Sequence, residues 1–199
     1  MVRPAQTARS ERTRDALRRA ALVRFLAQGV EDTSAEQIAA DAGVSLRTFY
    51  RHFTSKHDLL FADYDAGLEW FRAALQARSP EESIIESVQS AIDASPYDPE
   101  AVAQIAALRA RELDPGRIVR HTRQVEAEFA AAIVDQLSTS TSPQTADERL
   151  RVIVTARCIA AAVFGAMELW MVGEDRSLAE LGRLCRTALE SLRAGIIDA

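Results

Sequence analysis

Apolar residues recur every three or four positions along most of this chain, which is the spacing that places them on one face of an α-helix. No stretch alternates between apolar and polar residues for long enough to predict a β-strand. We therefore expect an all-α fold of about nine helices. The first helix is expected to run from Ser10 to about Gln28, where Gly29 ends it.

Capping residues predict where the later helices begin. A Ser or Thr with Glu three positions later can form a capping box, and Pro fits the first helical position. Such starts occur at Thr33, Ser79, Asp98, Asp114, Thr145 and Ser177. Ser45 is expected to cap another short helix, and a long helix is expected to begin at Thr54–Ser55. The helix from Thr54–Ser55 to about Ala77 is expected to be continuous and to join an N-terminal domain (residues 1–54) to a C-terminal domain (residues 55–199). The segment 138–144, STSTSPQ, is predicted to be a loop.

Residues 33–60 contain two predicted short helices joined by a turn with Gly43, an arrangement typical of the helix-turn-helix motif. Gly43 is expected to adopt a positive φ, which strains other residues. The residues expected to bury against the first helix are Ile38, Val44, Phe49 and Phe53. The opposite face of the second short helix is then left to meet a partner.

That outward face carries groups suited to DNA. Arg47 and Arg51 can each contact guanine with two hydrogen bonds, and Leu46 can pack on a thymine methyl group. Ser45 lies at the N-terminal end of the same helix. The hydroxyls that suit phosphate oxygens belong to Thr33, Thr48 and Tyr50. A simple surface role remains the alternative for Arg47, and a packing role for His52.

The charge distribution agrees with an anionic partner at one end. The net charge is −5, but residues 1–57 hold ten Lys or Arg against six Asp or Glu. Residues 58–199 hold 14 basic and 23 acidic residues. Lys56, the only lysine, lies at a predicted helix start, where an anion is favoured. The segment before Ser10, with Arg3 and Arg9, is either a solvated tail or an arm that enters the minor groove.

The same region carries a family resemblance over about residues 10–60. The residues that carry it are Phe25, Gly29, Thr33, Ile38, Ala39, Gly43, Val44, Ser45, Thr48, Phe49, Tyr50, His52, Phe53, Lys56, Leu59 and Leu60. The stretch resembles the N-terminal DNA-binding domain of TetR-family transcriptional regulators. The resemblance implies an all-α dimer with a C-terminal ligand pocket and, usually, repression that a small molecule relieves.

The resemblance also assigns roles by motif position. Thr33, Thr48, Tyr50 and Lys56 match phosphate contacts. Base or backbone contacts that vary between members fall at Leu46, Arg47, Arg51 and His52. The Leu46-Arg47 pair replaces a small or Gly-containing pair, which implies a bulkier reading surface.

The C-terminal domain is predicted to hold a ligand pocket and a dimer interface. The expected pocket lining is Trp70, Phe71, His121, Phe129, Phe164 and Met167, although core packing explains each of them singly, and a structural role is the alternative for His121. Arg109 and Arg111 are either anion contacts or a solvated helix face. The last two helices are apolar enough that pairing with their two-fold copies is expected to cover them.

Other classes of protein fit less well. There is no GxSxG, P-loop, GxGxxG or HExxH motif, so an enzyme is not expected. With two cysteines and no CxxC spacing, neither a metal nor a cofactor is expected. The apolar stretch 152–172 contains Arg157 and Glu168 and fits a buried helix better than a membrane span, so a cytoplasmic protein is expected. A helical dimer that binds a partner protein instead of DNA is the remaining alternative.

Overall fold

The computed structural model describes residues 4–79, 81–96, 99–175 and 177–195. All regular structure in these ranges is helical, with nine α-helices and one 3-10 helix. The α-helices are α1 (Pro4–Gln28), α2 (Ala35–Asp41), α3 (Leu46–His52), α4 (Ala62–Gln76), α5 (Ile84–Asp93), α6 (Pro99–Glu112), α7 (Pro115–Thr141), α8 (Ala146–Val172) and α9 (Leu178–Ala194). The 3-10 helix, Lys56–Phe61, precedes α4. The predicted all-α class is confirmed.

Several predicted helix ends are confirmed. Ser45 caps α3 by accepting a hydrogen bond from the Thr48 amide, and Thr145 caps α8 with Glu148 in a capping box. Ser177 caps α9 as Ser45 caps α3, because its side chain accepts a hydrogen bond from the Glu180 amide. These caps satisfy amides that otherwise have no partner in the first helical turn. The expected start at Asp98 lies outside the described residues.

The start of the chain differs from the prediction. α1 begins at Pro4, so the segment up to Arg9 that was expected to be a tail or an arm is helical, and Arg3 lies outside the described residues. α2 is capped by Ser34 with Gln37, one residue later than predicted.

Three other predictions differ from the structure for local reasons. The helix predicted from Thr54–Ser55 begins there, where the Asp58 carboxylate accepts hydrogen bonds from both backbone amides, but its first part, Lys56–Phe61, is a 3-10 helix that leads directly into α4. α5 is capped by Ser83 rather than started at Ser79. α7 continues to Thr141, through part of the segment predicted to be a loop, and the Thr139 and Thr141 hydroxyls donate to carbonyls one turn earlier.

The chain forms two compact units. The head unit comprises Met1–Asp63 and Ile105–Asp114, and the body unit comprises Tyr64–Gln104 and Pro115–Ala199. The division therefore falls within α4 and within α6, not at residue 54 as the sequence suggested. The head unit is built from two separate stretches of chain.

The head unit has a small core of its own. The buried side chains include Leu17, Ala21 and Phe25 of α1, Ile38 and Ala39 of α2, Phe49 of α3 and Phe53. Val44, expected among them, is half-buried. Gly43 has φ +66°, as the turn between α2 and α3 was predicted to require. Arg24 of α1 also pairs with Asp41 of α2, and this hydrogen bond lowers the pKa of Asp41.

The body unit has a larger apolar core in which α8 packs on α7 and α9. Its centre includes Phe71, Ile133, Ile159, Val163 and Leu189. Among the described residues, α8 is the one helix long and apolar enough to cross a membrane, judged by length and composition alone. A core helix passes the same test, and both faces of α8 that meet α7 and α9 belong to this core.

Candidate nucleic-acid interface

Helix α3 is anchored by one buried ring and one cap. Phe49 is fully buried and lies against the ring of Phe53, with 6.0 Å between ring centroids. At the other end, the Ser45 hydroxyl accepts from the Thr48 amide at 3.2 Å and lies 2.9 Å from the Thr48 hydroxyl. A seven-residue helix is too short to be stable alone, so these contacts hold it in place.

The side of α3 opposite Phe49 faces solvent. Arg47, Tyr50 and Arg51 are exposed, and among the described residues neither arginine forms a hydrogen bond or an ion pair. Leu46 and Thr48 are half-buried beside them, and Ser45 is exposed. This side therefore presents two unsatisfied guanidinium groups on a helix narrow enough for the major groove of DNA.

His52 differs from the other residues of this helix. Burial, together with the charges of Arg51 and Arg14, lowers the pKa of His52, so the imidazole is neutral at neutral pH. Its Nε2 atom is buried and has no hydrogen-bond partner within the described residues. This geometry favours the packing role for His52 over direct reading of a base.

Three of the four residues with predicted phosphate contacts line one open groove. Thr33, Tyr50 and Lys56 border this groove, whose volume is about 470 Å³. Thr33 follows α1, Tyr50 belongs to α3 and Lys56 begins the 3-10 helix, so the fold brings together residues from three separate segments. Thr48, the fourth, lies beside the Ser45 cap.

Thr33 has a structural role within this groove. It is 1% exposed, and its hydroxyl donates to the Gly29 carbonyl at 2.7 Å. Gly29 has φ +86°, so the hydroxyl closes the tight turn that ends α1. A phosphate contact by Thr33 stays a prediction. The hydroxyl proton goes to the Gly29 carbonyl and the Thr33 amide donates to the Val30 carbonyl, so one of these hydrogen bonds would have to be given up for a phosphate.

Lys56 is held by the turn that precedes α2. Its ammonium donates to the Glu31 carbonyl at 2.9 Å and lies 4.0 Å from the Glu31 carboxylate. The other carboxylate oxygen of Glu31 lies 3.1 Å from Nε2 of His57. The hydrogen bond to His57 and the charge of Lys56 both lower the pKa of Glu31. Sequence reasoning missed Glu31, because no local pattern links it to residues 25 positions away.

Asp58 holds the backbone segment that leads into Lys56 at the same groove. Burial alone would raise the pKa of Asp58, but hydrogen bonds from Thr54 and Ser55 outweigh burial and lower it. The carboxylate thus ties down the two residues immediately before Lys56. This contact makes Asp58 a positioning residue for the lysine, and the sequence analysis did not single it out.

The body unit brings together some of the residues predicted to line a ligand pocket. Phe71 stacks on Phe129 with 4.5 Å between centroids, and Phe129 meets Phe164 edge to face at 5.2 Å. Trp70 and Met167 pack against the same core. His121 lies instead against the ring of Tyr64, at 5.8 Å. Phe129 contacts both of the other rings, so a ligand between these rings would have to part them.

The two interpretations offered for Arg109 are both wrong. Arg109 is 2% exposed, its Nε donates to the Leu60 carbonyl at 2.7 Å, and it pairs with Asp63 at 2.5 Å. Its guanidinium also lies over the ring of Phe61. All four residues belong to the head unit, so Arg109 is a buried structural cation. Arg111 is exposed and pairs with Glu112.

Helix α8 carries an exposed apolar stripe along its whole length. Its members are spaced three or four residues apart on one face: Leu150, Val154, Cys158, Ala161, Gly165, Leu169 and Val172. A Cβ atom added at Gly165 would meet nothing within 4 Å, so this face is open. The exposed residues of α9 are by contrast mostly polar, and Leu181, Leu184, Leu189 and Leu192 face the core.

Comparisons with known proteins agree with this arrangement. Residues 17–62 match the family described as bacterial regulatory proteins, tetR family. The HTH-type transcriptional regulator TcmR of Streptomyces glaucescens is 33% identical over 198 positions, covering 92% of this chain and 83% of TcmR.

Solved structures share the fold. SmeT, the repressor of the Stenotrophomonas maltophilia multidrug efflux pump SmeDEF, has a TM-score of 0.56 and 21% identity, covering 91% of this chain and 89% of SmeT. The TetR-family repressor FadR of Thermus thermophilus, solved in complex with lauroyl-CoA, has a TM-score of 0.55 and 20% identity, covering 94% of this chain and 96% of FadR.

Proposed function

Because this chain belongs to the TetR family of bacterial transcriptional regulators, we propose that it is a repressor that a small ligand releases from DNA. In this proposal a homodimer binds a roughly palindromic operator, and a largely apolar ligand enters the body unit. DNA as the partner places the protein in the cytoplasm. The observation that carries the proposal is the outward face of α3, with Arg47 and Arg51 exposed beside Tyr50.

The roles within the head unit follow from where each group lies. Arg47 and Arg51 read base edges in the major groove, because a guanidinium can donate two hydrogen bonds to guanine. Tyr50 and Lys56 line the groove described above and bind phosphate. Phosphate contacts fix the position of α3 on the duplex, and the arginine contacts select the sequence.

The apolar stripe of α8 supports a homodimer. A stripe of this length leaves apolar surface in water, and covering it is favourable. The same stripe on a second copy is self-complementary across a two-fold axis, with the polar exposed face of α9 at the edge. Two heads would then occupy two half-sites about one DNA turn apart or a multiple of it, which is why a palindromic operator is expected.

The ligand proposal rests on the aromatic cluster of the body unit. Phe129 contacts both Phe71 and Phe164, and all three rings belong to the apolar core or pack against it. An apolar molecule that parts these rings would replace ring contacts with its own. Coupling of about 1–3 kcal/mol between ligand and operator would lower DNA affinity by roughly 5- to 150-fold.

The test is selection of bound duplexes from a random pool, followed by titration of the selected operator from about 50 to 200 mM salt. Phosphate-driven binding should weaken by orders of magnitude over this range. Lys56→Ala should weaken binding to all duplexes alike, whereas Arg47→Ala should lose roughly 1–3 kcal/mol of discrimination between operator and unrelated DNA. If the protein binds no duplex even at low salt, the alternative of a protein-interaction module takes its place.

A further inference from the structure

The groove that holds Lys56 contains a carboxylate where a DNA phosphate is expected to bind. Glu31 is exposed, with 74% of its side chain accessible, yet its two oxygens face Lys56 at 4.0 Å and His57 at 3.1 Å. A phosphate that approaches the lysine meets this negative charge first. We propose that Glu31 competes with the DNA phosphate for Lys56 and His57 and thereby sets the affinity of the head for DNA.

The backbone and the side chain of Glu31 act differently on Lys56. The Glu31 carbonyl accepts a hydrogen bond from the ammonium at 2.9 Å and so holds the lysine in position. The carboxylate lies farther away and contributes charge rather than a fixed hydrogen bond. An ammonium has three donors, so the carbonyl leaves two for a phosphate. Changing the side chain alone should therefore leave Lys56 in position and remove only the competition.

The competition is weak enough to be reversible. An exposed ion pair contributes little free energy because water screens the two charges. An exposed glutamate can therefore move away as a phosphate arrives. The carboxylate therefore lowers DNA affinity by a modest factor and does not block binding. Two further carboxylate residues, Asp32 and Glu36, line the groove. The pKa of Glu36 is lowered by its own backbone amide and by Ser34, not by Lys56 or His57.

This inference rests on the proposed DNA-binding function, and the experiment separates the two. Fluorescence anisotropy is measured with the selected operator and with an unrelated duplex of equal length, over about 50–200 mM salt. The proteins are the full-length wild type, Glu31→Gln and the matched control Glu36→Gln, which removes the same charge from the same groove. Glutamine keeps the shape of the side chain and removes the negative charge, while one acceptor oxygen is replaced by an NH2 donor.

Glu31→Gln should bind both duplexes about threefold to fivefold more tightly at low salt, the size of one unit-charge contact near 5 Å in water. Its plot of log affinity against log salt should be steeper by up to about 0.9, since one more cation becomes available to the phosphates. Glu36→Gln should gain less. In a Lys56→Ala background the gain from Glu31→Gln should fall by half or more.

Three results would overturn the inference: unchanged or weaker binding by Glu31→Gln, an equal gain by Glu36→Gln, or a full gain without Lys56. A thermal melt checks that each variant is folded, and Glu31→Ala provides a second variant with the same expected direction. Failure of the wild type to bind any duplex would instead contradict the proposed function. Tight wild-type binding with no gain from Glu31→Gln would contradict only the role of Glu31.

Discussion

The head unit and the body unit use their side chains in opposite ways. In the head, the residues proposed to read DNA bases lie on the exposed side of α3, and one buried ring with one cap holds that helix. In the body, the residues proposed to meet the ligand are largely buried aromatic rings that contact one another. Substitutions on the exposed face of the head should change binding with little effect on folding, whereas substitutions among the rings of the body should change both.

Arg109 is an exception to this difference between the two units. It is part of the head unit, yet it is buried and ion-paired like a core residue, and it comes from a stretch of chain 42 residues beyond Asp63. The head therefore has an exposed polar surface for binding and a buried polar contact for stability. These two kinds of polar residue should respond differently to substitution.

The largest expected effect concerns the apolar stripe of the body. Replacing both Val154 and Leu169 with Glu should prevent dimer formation. Each subunit would then have to bury two carboxylates in the proposed interface, where they lose their contact with water. Operator affinity should then fall by about 10²- to 10⁴-fold, since two linked heads gain this much from acting together. Sedimentation and operator titration measure the two effects.

Val119→Glu is the matched control for that variant. Val119 is an exposed valine of α7 that lies outside the stripe. This control should remain dimeric and bind the operator normally. A dimeric Val154→Glu/Leu169→Glu protein would show that the α8 stripe is not the interface.

The second prediction compares two arginines near the end of α6. Arg109→Ala should lower the free energy of unfolding by about 3–5 kcal/mol, because it leaves the partly buried Asp63 carboxylate and the Leu60 carbonyl without their donor. Arg111→Ala should cost less than about 1 kcal/mol, since its pair with Glu112 is exposed on the arginine side. Urea denaturation measures both, and similar losses would contradict the structural role of Arg109.

The third prediction compares one helix cap from each unit. Ser45→Ala and Thr145→Ala should each lower stability by about 1 kcal/mol, the usual cost of losing a side-chain cap. Only Ser45→Ala should also weaken operator binding, because α3 carries the residues proposed to read the operator and α8 does not. Equal operator affinity for the two variants would mean that the Ser45 cap does not position α3.

The smallest expected effect is a difference in thiol reactivity between Cys185, in the core of the body unit, and Cys158, on the exposed stripe of α8. Burial raises the pKa of Cys185 to about 12, so at pH 8 only about one thiol in 10⁴ is ionised and able to react. Cys158 is exposed on the apolar stripe of α8 and should react with a thiol reagent first. Its labelling should slow as protein concentration rises, if the dimer covers the stripe. Labelling that does not depend on concentration would count against this interface.

Local sequence signals predicted much of the fold but not the contacts between distant segments. The caps at Ser45, Thr145 and Ser177 were predictable because each depends on residues three positions apart. The start of α2 was wrong by one residue because Thr33 and Ser34 are both suitable caps. The hydroxyl of Thr33 is taken by the Gly29 carbonyl, which leaves Ser34 as the cap.

The candidate site shows the same limit. The exposure of Arg47, Tyr50 and Arg51 could be predicted, since burying Phe49 places them on the opposite face of one helix. The groove around Lys56 could not, because Glu31 and Lys56 are 25 residues apart and meet only through the packing of α1, α2 and the 3-10 helix. The burial of Arg109 could not be predicted either, since its partners lie 49 and 46 residues earlier in the chain.

The discontinuous head unit has a practical consequence for chimeric regulators. A graft that moves residues 1–63 onto a foreign body would leave behind Arg109, the donor for Leu60 and Asp63. Such a transplant would carry an acidic group into its interior with nothing to neutralise it. An exchange of DNA specificity between relatives should therefore move residues 105–114 together with the first 63.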